Sequence, residues 1–374
     1  MKIVVTGAKG LLGSHATARI HAYNCAAKFR YEQEPYELIA LDRPGFIEDD
    51  QLMRAIDGAI AVLHFAGVNR VPDDIIETEN ADISHRLVNI CNKTGTRPHI
   101  VYANSTHYTS DTPYGRSKKK AGEILADLGG GFTDVILPHI FGEYARPNYN
   151  NVTATFIDSV IKGTEIAINP NGKVSLLHAG TAVQYFIDAV LDKKTGQHAL
   201  KGRETWVSDL YATLKKIHND YTANIYPDLV DDFEVALFNS YKGALYPKFY
   251  PRKLDIKSDA RGTLFEAFKG GGGGQAFASW TKPNVTRGDH FHINKIERFL
   301  VIQGKAIIRI RKILTNEVKE FCVSGSEPSF IDMPTLHTHS IENVGSDPLL
   351  TLFWSNELFD PDAPDTYADK VLRE

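Results

Sequence analysis

Along the N-terminal part of the chain, apolar positions gather in short runs separated by stretches with helical spacing. Residues 2–6 (KIVVT), 37–42 (ELIALD), 60–66 (IAVLHFA), 99–104 (HIVYAN) and 133–138 (TDVILP) read as strands. The stretches 11–23, 81–93 and 114–128 read as helices. Strands alternating with helices predict βαβ units and a doubly wound parallel sheet of the Rossmann type. After about residue 250 the pattern changes to short apolar stretches divided by turn residues: TLFEAF, QAFASW, RFLVIQG, KAIIRIRKI, KEFCVSG, SFIDMP, HSIENVG and LLTLFWS. Their spacing of roughly 8–12 residues predicts an all-β barrel or sandwich. The turn-rich segment 241–251 (YKGALYPKFYP) is the expected linker, which gives domains at 1–245 and 252–374. The run Gly270–Gly274 is expected to be a hairpin loop inside the barrel.

Composition narrows the class. A chain of 374 residues, 43% hydrophobic and 24% charged, is an ordinary globular protein with room for two domains. With 42 basic and 46 acidic residues, the net charge of −4 offers no basic footprint for nucleic acid or a membrane surface. Cys25, Cys91 and Cys322 are odd in number and far apart, so they imply neither a disulfide framework nor a cysteine zinc motif. The chain opens on MKIVVTG without a signal-like apolar region, and no apolar run could span a bilayer. The cytosol is the expected compartment.

The segment TGAKGLLG places Gly7, Gly10 and Gly13 between the first strand and the first helix, with Leu11 opening that helix. Glycines there allow a tight turn and close approach of a pyrophosphate to the helix N-terminus, where amide donors and the dipole favour an anion. Asp42 ends the second strand and Arg43 follows it. An acidic residue there bonds the ribose hydroxyls of NAD, whereas an arginine receives the 2′-phosphate of NADP, so NADPH and NADH both stay open. Phe65, Ala66 and Gly67 end a later strand, where parallel sheets bind ligands.

Hydride transfer to a ketone leaves negative charge on its oxygen, so a proton donor is needed. A phenol of ordinary pKa, near 10, is a poor donor at neutral pH. Tyr114 and Lys118 stand at i and i+4 on one helix face. The ammonium is expected to lower the phenol's pKa and to hold the nicotinamide ribose. Ser105, just upstream, can bond the substrate oxygen. The glycine triplet, Ala66-Gly67, Ser105 and PYGRSK together resemble an extended short-chain dehydrogenase/reductase. The resemblance places Pro138, in PHIFG, beside the nicotinamide. His139 stands where that family commonly has asparagine. His178 in LHAGT fits its late motif, although Thr181 replaces the usual aspartate.

The C-terminal part carries His290-x-His292, then Glu297, then His339. Histidines at i and i+2 of a strand share a face. Three imidazoles and a carboxylate suit zinc, iron, manganese or nickel, with a coordination position left open. The pattern resembles the two cupin motifs, although Leu336 stands where the second usually has glycine. His337 is read as having strand parity opposite to His339 and is left out of the ligand set as a pocket or surface residue.

Over nearly its full length the chain resembles the bifunctional CapF-type enzymes of capsular and O-antigen polysaccharide synthesis. The matching segments include VTGAKG, HFAGVNR, PYGRSK, RPNYNNVTATF, DARGTLFE, HFHINKIERFLVIQGKA and NELFDPDAPDTY. The resemblance implies a homodimer with a divalent metal, zinc first, acting on a UDP-linked 2-acetamido-2,6-dideoxy-hexos-4-ulose. The cupin domain would epimerise C3, and the reductase would then reduce the C4 ketone with NADPH. The product is of the UDP-N-acetyl-6-deoxy-talosamine type, on the route to N-acetyl-L-fucosamine. Asn69, His107, Asn148 and Asn150 are the candidate substrate contacts, with Arg70 and the rest of RPNYNN beside them. Two alternatives stay open: a reductase whose barrel only dimerises, and a sugar-nucleotide-binding protein without catalysis.

Overall fold

The apolar runs of the N-terminal part form strands β1 (Lys2–Thr6), β2 (Glu37–Leu41), β3 (Ala61–His64), β4 (His99–Ser105) and β5 (Phe132–Leu137). After them come β6 (His139–Phe141), β7 (Lys173–His178), β8 (Gly196–Ala199) and β9 (Arg203–Trp206). In this computed structural model, which describes residues 1–270 and 273–373, the order β2-β1-β3-β4-β5-β8 makes a sheet whose pairs are all parallel. A small sheet, β6-β7-β9, lies beyond β5 in the chain. Gly271 and Gly272, inside the expected glycine loop, lie outside the described residues. The chain divides into two compact units: Met1–Phe156 with Ile166–Leu210, and Ile157–Glu165 with Tyr211–Glu374.

The helices are α1 (Leu11–Phe29), α2 (Arg43–Ile47), α3 (Asp49–Ile56), α4 (Asp73–Thr94), α5 (Pro113–Ala126), α6 (Val152–Lys162), α7 (Ala179–Leu191), α8 (Val207–Thr222) and α9 (Asp232–Leu245). Two of them exceed the lengths that apolar spacing predicts. α1 runs on to Phe29 because Cys25-Ala26-Ala27 keep it helical. α4 begins at Asp73 rather than 81 because Pro72 caps it and Asp73 and Asp74 meet the positive end of its dipole.

Alternation along each strand loads both faces of the parallel sheet. Ile3, Val5, Leu63, Val101 and Val135 pack with Ile20 and Phe186 on one face. Val4, Val62, Ile100 and Tyr102 pack with Leu87, Ile90 and Leu125 on the other. That double burial is what a parallel sheet requires.

In the second unit β10 (Arg252–Lys253) pairs in a sheet ordered β10-β18-β15-β20-β13, and β14 (Thr286–Phe291) in a sheet ordered β17-β16-β19-β14-β21. The remaining strands are β11 (Ile256–Asp259), β12 (Gly262–Phe265), β13 (Gln275–Thr281), β15 (Glu297–Gln303), β16 (Lys305–Lys312), β17 (Val318–Ser324), β18 (Ser329–Met333), β19 (His337–Asn343), β20 (Leu349–Ser355) and β21 (Tyr367–Ala368). All pairings are antiparallel, as in a cupin-like barrel.

The segment expected as linker is partly helical. Tyr241–Leu245 continue α9, whose N-terminus is capped by the Asp231 carboxylate, and the helix stops at Leu245 because Tyr246 precedes a proline and turns extended. Residues from Tyr211 onward belong to the barrel unit. A buried network shows why. Arg298 on β15 holds Asp332 on β18 through two bonds of 2.7 and 3.0 Å, and its other nitrogen donates to Asn224 Oδ1 at 2.7 Å. The Tyr221 hydroxyl on α8 donates to the same Asp332. Removing one partner of such a buried pair costs about 3–5 kcal/mol, so the end of α8 is bound tightly to the barrel. Among the described residues no helix is long and apolar enough to cross a membrane.

Candidate active site and metal centre

The nucleotide loop is shaped by exclusion of side chains. Gly7 has φ +65°, and a Cβ on it would stand 2.9 Å from Ala66 N and Phe65 C. A Cβ on Gly13 would meet Gly7 O at 2.2 Å. The Gly10 amide donates to Gly7 O at 2.8 Å. The turn is thus closed against the Phe65–Ala66 backbone, which brings together Gly7, Gly10, Gly13, Phe65 and Ala66 as expected, with Leu11 at the first position of α1. This cradle fits a pyrophosphate at a helix N-terminus. Phe65 itself packs into the core against Phe186, with ring centroids 4.9 Å apart. Pro138 sits between β5 and β6.

Asp42 is committed within the protein. Its Oδ1 accepts the Gly45 amide at 3.1 Å, and its Oδ2 takes Lys9 Nζ at 2.5 Å. The Lys9 bond, then the Gly45 amide, hold its pKa below the usual carboxylate value. Arg43 is 78% exposed and lies 3.8 Å from Glu79. Lys9 and Arg43 thus place two cations beside the Asp42 carboxylate.

The reductase residues gather at the end of β4. Thr112 caps α5 by accepting the Gly115 amide at 3.1 Å, and Pro113 opens the first turn. Tyr114 is in that turn and Lys118 one turn on. The Ser105 side chain caps the short 3-10 turn Thr106–Thr109 by accepting the His107 amide at 3.2 Å, and its hydroxyl acts on the Tyr114 phenol to lower its pKa. The His107 ring lies 6.3 Å from the Tyr114 ring.

One expectation is corrected. Tyr114 does not have a lowered pKa: burial pushes it up, and only the Ser105 bond works the other way. The ammonium of Lys118 is engaged elsewhere. It donates to Ala103 O at 2.7 Å and lies 4.1 Å from the centroid of the Tyr102 ring. Burial pulls the Lys118 pKa down to about 7, opposed by the Asp134 charge.

The four candidate substrate contacts divide. Asn150 Nδ2 donates to Asn69 O at 2.9 Å, and Arg70 donates to Asn148 O, so the 69–70 and 148–150 segments face each other. Asn148 and Asn150 both have positive φ, 57° and 51°. The Tyr149 ring lies between Arg70 and Arg146, each 5.9 Å from its centroid. His107 stands apart from this group, on the Ser105 turn.

In the barrel the predicted ligands converge. β14 pairs with β19 so that His290 faces His339, after a bulge between Gly288 and His290. Glu297 Oε2 lies 3.0 Å from His292 Nε2, 3.3 Å from His339 Nε2 and 3.9 Å from His290 Nε2. The buried Oε2 of Glu297 and the Nε2 atoms of His292 and His339 make no well-formed hydrogen bond with each other or with any described group. Orphaned buried polar atoms aimed at one point are unfavourable unless a cation joins them. The second layer agrees. Nδ1 of His292 donates to Asp365 O at 2.7 Å and Nδ1 of His339 to His337 O at 3.3 Å, which turns both Nε2 lone pairs inward. The set fits a divalent metal with three imidazoles and one carboxylate.

Burial holds the His339 pKa down at about 4. Burial also opposes charge on His292, but Glu297 and Asp365 outweigh it and raise that pKa. Burial would raise Glu297, yet the histidines hold it well below the ordinary carboxylate range.

Three features escape the sequence pattern. The Asp365 carboxylate accepts the amides of Ile293, Asn294 and Lys295 at 3.1, 2.7 and 2.7 Å, so the C-terminal tail fixes the loop after His292. Only its place within the matching NELFDPDAPDTY segment hinted at a role. Leu336 adopts φ 61°, the conformation glycine would take. The left-handed backbone costs about 1–2 kcal/mol, while burying a leucine returns about 1.5–3 kcal/mol. Leu336 is 1% exposed, so the turn survives the exchange. His337 shares strand parity with His339, so parity does not exclude it. It is separated by its contacts, since its Nδ1 bonds Thr335 O at 2.9 Å and its ring lies 4.9 Å from Tyr246.

Residues 3–199 match the NAD dependent epimerase/dehydratase family, and residues 257–367 match the polysaccharide biosynthesis C-terminal domain. A UDP-2-acetamido-2,6-beta-L-arabino-hexul-4-ose reductase from Pseudomonas aeruginosa is 30% identical over 382 residues, covering 99% of each chain. The solved structure of the capsular polysaccharide assembling protein CapF from Staphylococcus aureus covers 99% of this chain and 100% of its own, at 28% identity and a TM-score of 0.59. A structure of CapF with the inhibitor 3-isopropenyl-tropolone has the same coverage, at 27% identity and a TM-score of 0.55. The chain therefore belongs to the NAD dependent epimerase/dehydratase family, as a CapF-like member that carries the polysaccharide biosynthesis C-terminal domain.

Proposed function

We propose that this chain is a sugar-nucleotide 4-ketoreductase with a second, metal-dependent activity in its barrel, and that NADPH is its hydride source. Its substrate would be a UDP-2-acetamido-2,6-dideoxy-hexos-4-ulose. The observation that carries the reading is the Ser105–Tyr114–Lys118 group at the end of β4, beside the strand whose end closes the glycine cradle. The Pseudomonas relative is named as the reductase of such a 4-ulose, which supports the substrate class.

When bound, NADPH supplies a hydride, and a divalent ion supplies Lewis acidity. The rest is done by side chains. Tyr114 gives its phenolic proton to the C4 oxygen as the ketone becomes an alcohol. Ser105 holds that oxygen and the phenol in one line. Lys118 sits one helical turn away to stabilise the phenolate left behind. Lys9 and Arg43 favour a 2′-phosphate over a free 2′-hydroxyl because Asp42 is already paired. In the barrel, His290, His292, Glu297 and His339 would hold the metal, and Phe299 and Phe353 would keep water from it. A C3 proton next to a C4 ketone is acidified by that ketone, so loss and return of the proton on the other face inverts C3.

We also infer a homodimer. Apolar side chains of the barrel unit, Trp280 at 65% and Phe359 at 62% exposure among them, are more exposed than a lone domain favours, and a second copy would cover them.

Metal removal tests the division of labour. Protein stripped with a chelator is expected to lose deuterium exchange at C3 while still oxidising NADPH with a pre-epimerised ketone. Exchange that survives stripping excludes the metal from the epimerisation. Sedimentation of the same samples reads the oligomer, and a mass equal to one chain contradicts the dimer.

A further inference from the structure

Parallel sheets buried on both faces are normally apolar throughout. This one is crossed by a polar row. The register places Thr6 beside His64, His64 beside Tyr102, Tyr102 beside Asp134 and Asp134 beside Gln197, over five adjacent strands. All lie on the sheet face that packs α5. Thr6 Oγ1 and His64 Nδ1 are 2.9 Å apart. Asp134 Oδ2 accepts Gln197 Nε2 at 2.9 Å and Asn104 Nδ2 at 3.2 Å. The Lys118 ammonium lies over the ring at the middle of the row, that of Tyr102.

The groups around that ammonium differ in charge. His64, from β3, is neutral, because burial first and Lys118 second hold its pKa at about 3. Tyr102, from β4, is held neutral by burial. Tyr114, on the same helix as Lys118, is raised by burial and neutral as well. From α4 the inward side chain is Asn80, which donates to Ser117 Oγ at 3.0 Å and carries no charge. Asp134, from β5, brings the anion, and its Oδ1 is buried with no hydrogen-bond partner among the described residues.

We propose that Asp134 is a positioning residue for the reductase: from the polar row beneath Lys118 its carboxylate favours the ammonium form of that buried side chain. The inference rests on the reductase reading for its purpose but not for its test. A lysine ammonium taken out of water loses its proton unless an anion compensates. The hydroxyl, ring and imidazole of the row contribute shape and polarity without charge. Asp134 sets the balance and so sets the pH above which the phenolate beside Lys118 is no longer stabilised.

The test needs no substrate. The ε-carbon resonance of Lys118 is followed against pH in the protein labelled with 13C-lysine and assigned by its loss in Lys118→Arg. In Asp134→Asn, which keeps the size and the accepting oxygen, the titration midpoint is expected to fall by about one pH unit or more. The smaller, neutral Asp134→Ser repeats the test should the amide variant fail to fold. A midpoint that does not move in either variant overturns the proposal. With substrate, the alkaline limb of kcat/KM should move to lower pH by the same amount. A shifted resonance in a protein that turns over no ketone contradicts the reductase reading and leaves the role of Asp134 standing.

Discussion

In the proposed reductase Tyr114 would bear the proton transfer, and its setting was only half visible in the sequence. Ser105, Tyr114 and Lys118 could be found because each is fixed by local structure: a strand end, a helix cap and one helical turn. The electrostatics could not. Burial raises the phenol where a lowered value was expected, and Lys118 faces Ala103 O and Tyr102. The phenol is therefore a better-protected proton donor at rest, and the gain from the lysine belongs to the charged state that forms when the proton leaves. Tyr114→Phe should keep NADPH affinity and lower the ketoreductase kcat by roughly 10²–10⁴, the usual contribution of general acid catalysis. Fluorescence titration of NADPH and a progress curve check the two halves, and full turnover in the variant removes Tyr114 from the chemistry. Leu336 teaches the complementary point: a residue that breaks a glycine position can keep the turn when burial outweighs the backbone cost.

At the scale of elements, strand existence was legible because apolar runs are local, whereas supports that join distant segments were not. β14 aims His290 through a bulge, and the loop after His292 is held by Asp365, far off in the chain. No spacing rule links those positions. Asp365→Ala frees three amides and loosens the contact between that loop and the tail, whose Asp365 backbone carbonyl orients His292. Its zinc affinity, measured by competition with a chromogenic chelator, should fall about 10–100-fold, the range for lost outer support of a metal ligand. Reduction of a pre-epimerised ketone should be unchanged. An unchanged zinc affinity contradicts the role given to the tail. The polar row through the parallel sheet is the same kind of feature: His64 and Asp134 stand in apolar runs, and only the register brings them into line under Lys118.

For the whole molecule, the alternation of periods along the chain foretold a parallel α/β unit followed by an antiparallel barrel. The expected linker was displaced because its turn-forming composition hid the end of α9. The Arg298–Asp332–Tyr221 network, set by long-range contacts, binds the end of α8 to the barrel. In the proposed reading each unit serves one chemistry, so the two activities should be separable by substitution. Hydride delivery to a sugar-nucleotide ketone is the activity proposed for the first unit. The protein is incubated with a UDP-2-acetamido-2,6-dideoxy-hexos-4-ulose and NADPH carrying deuterium at both positions of nicotinamide C4, and the sugar is read by NMR. The expected result is one deuterium at C4 of the sugar for each NADPH consumed, with NADH the poorer donor. Unconsumed NADPH, or a product without deuterium at C4, would contradict hydride transfer to that carbon.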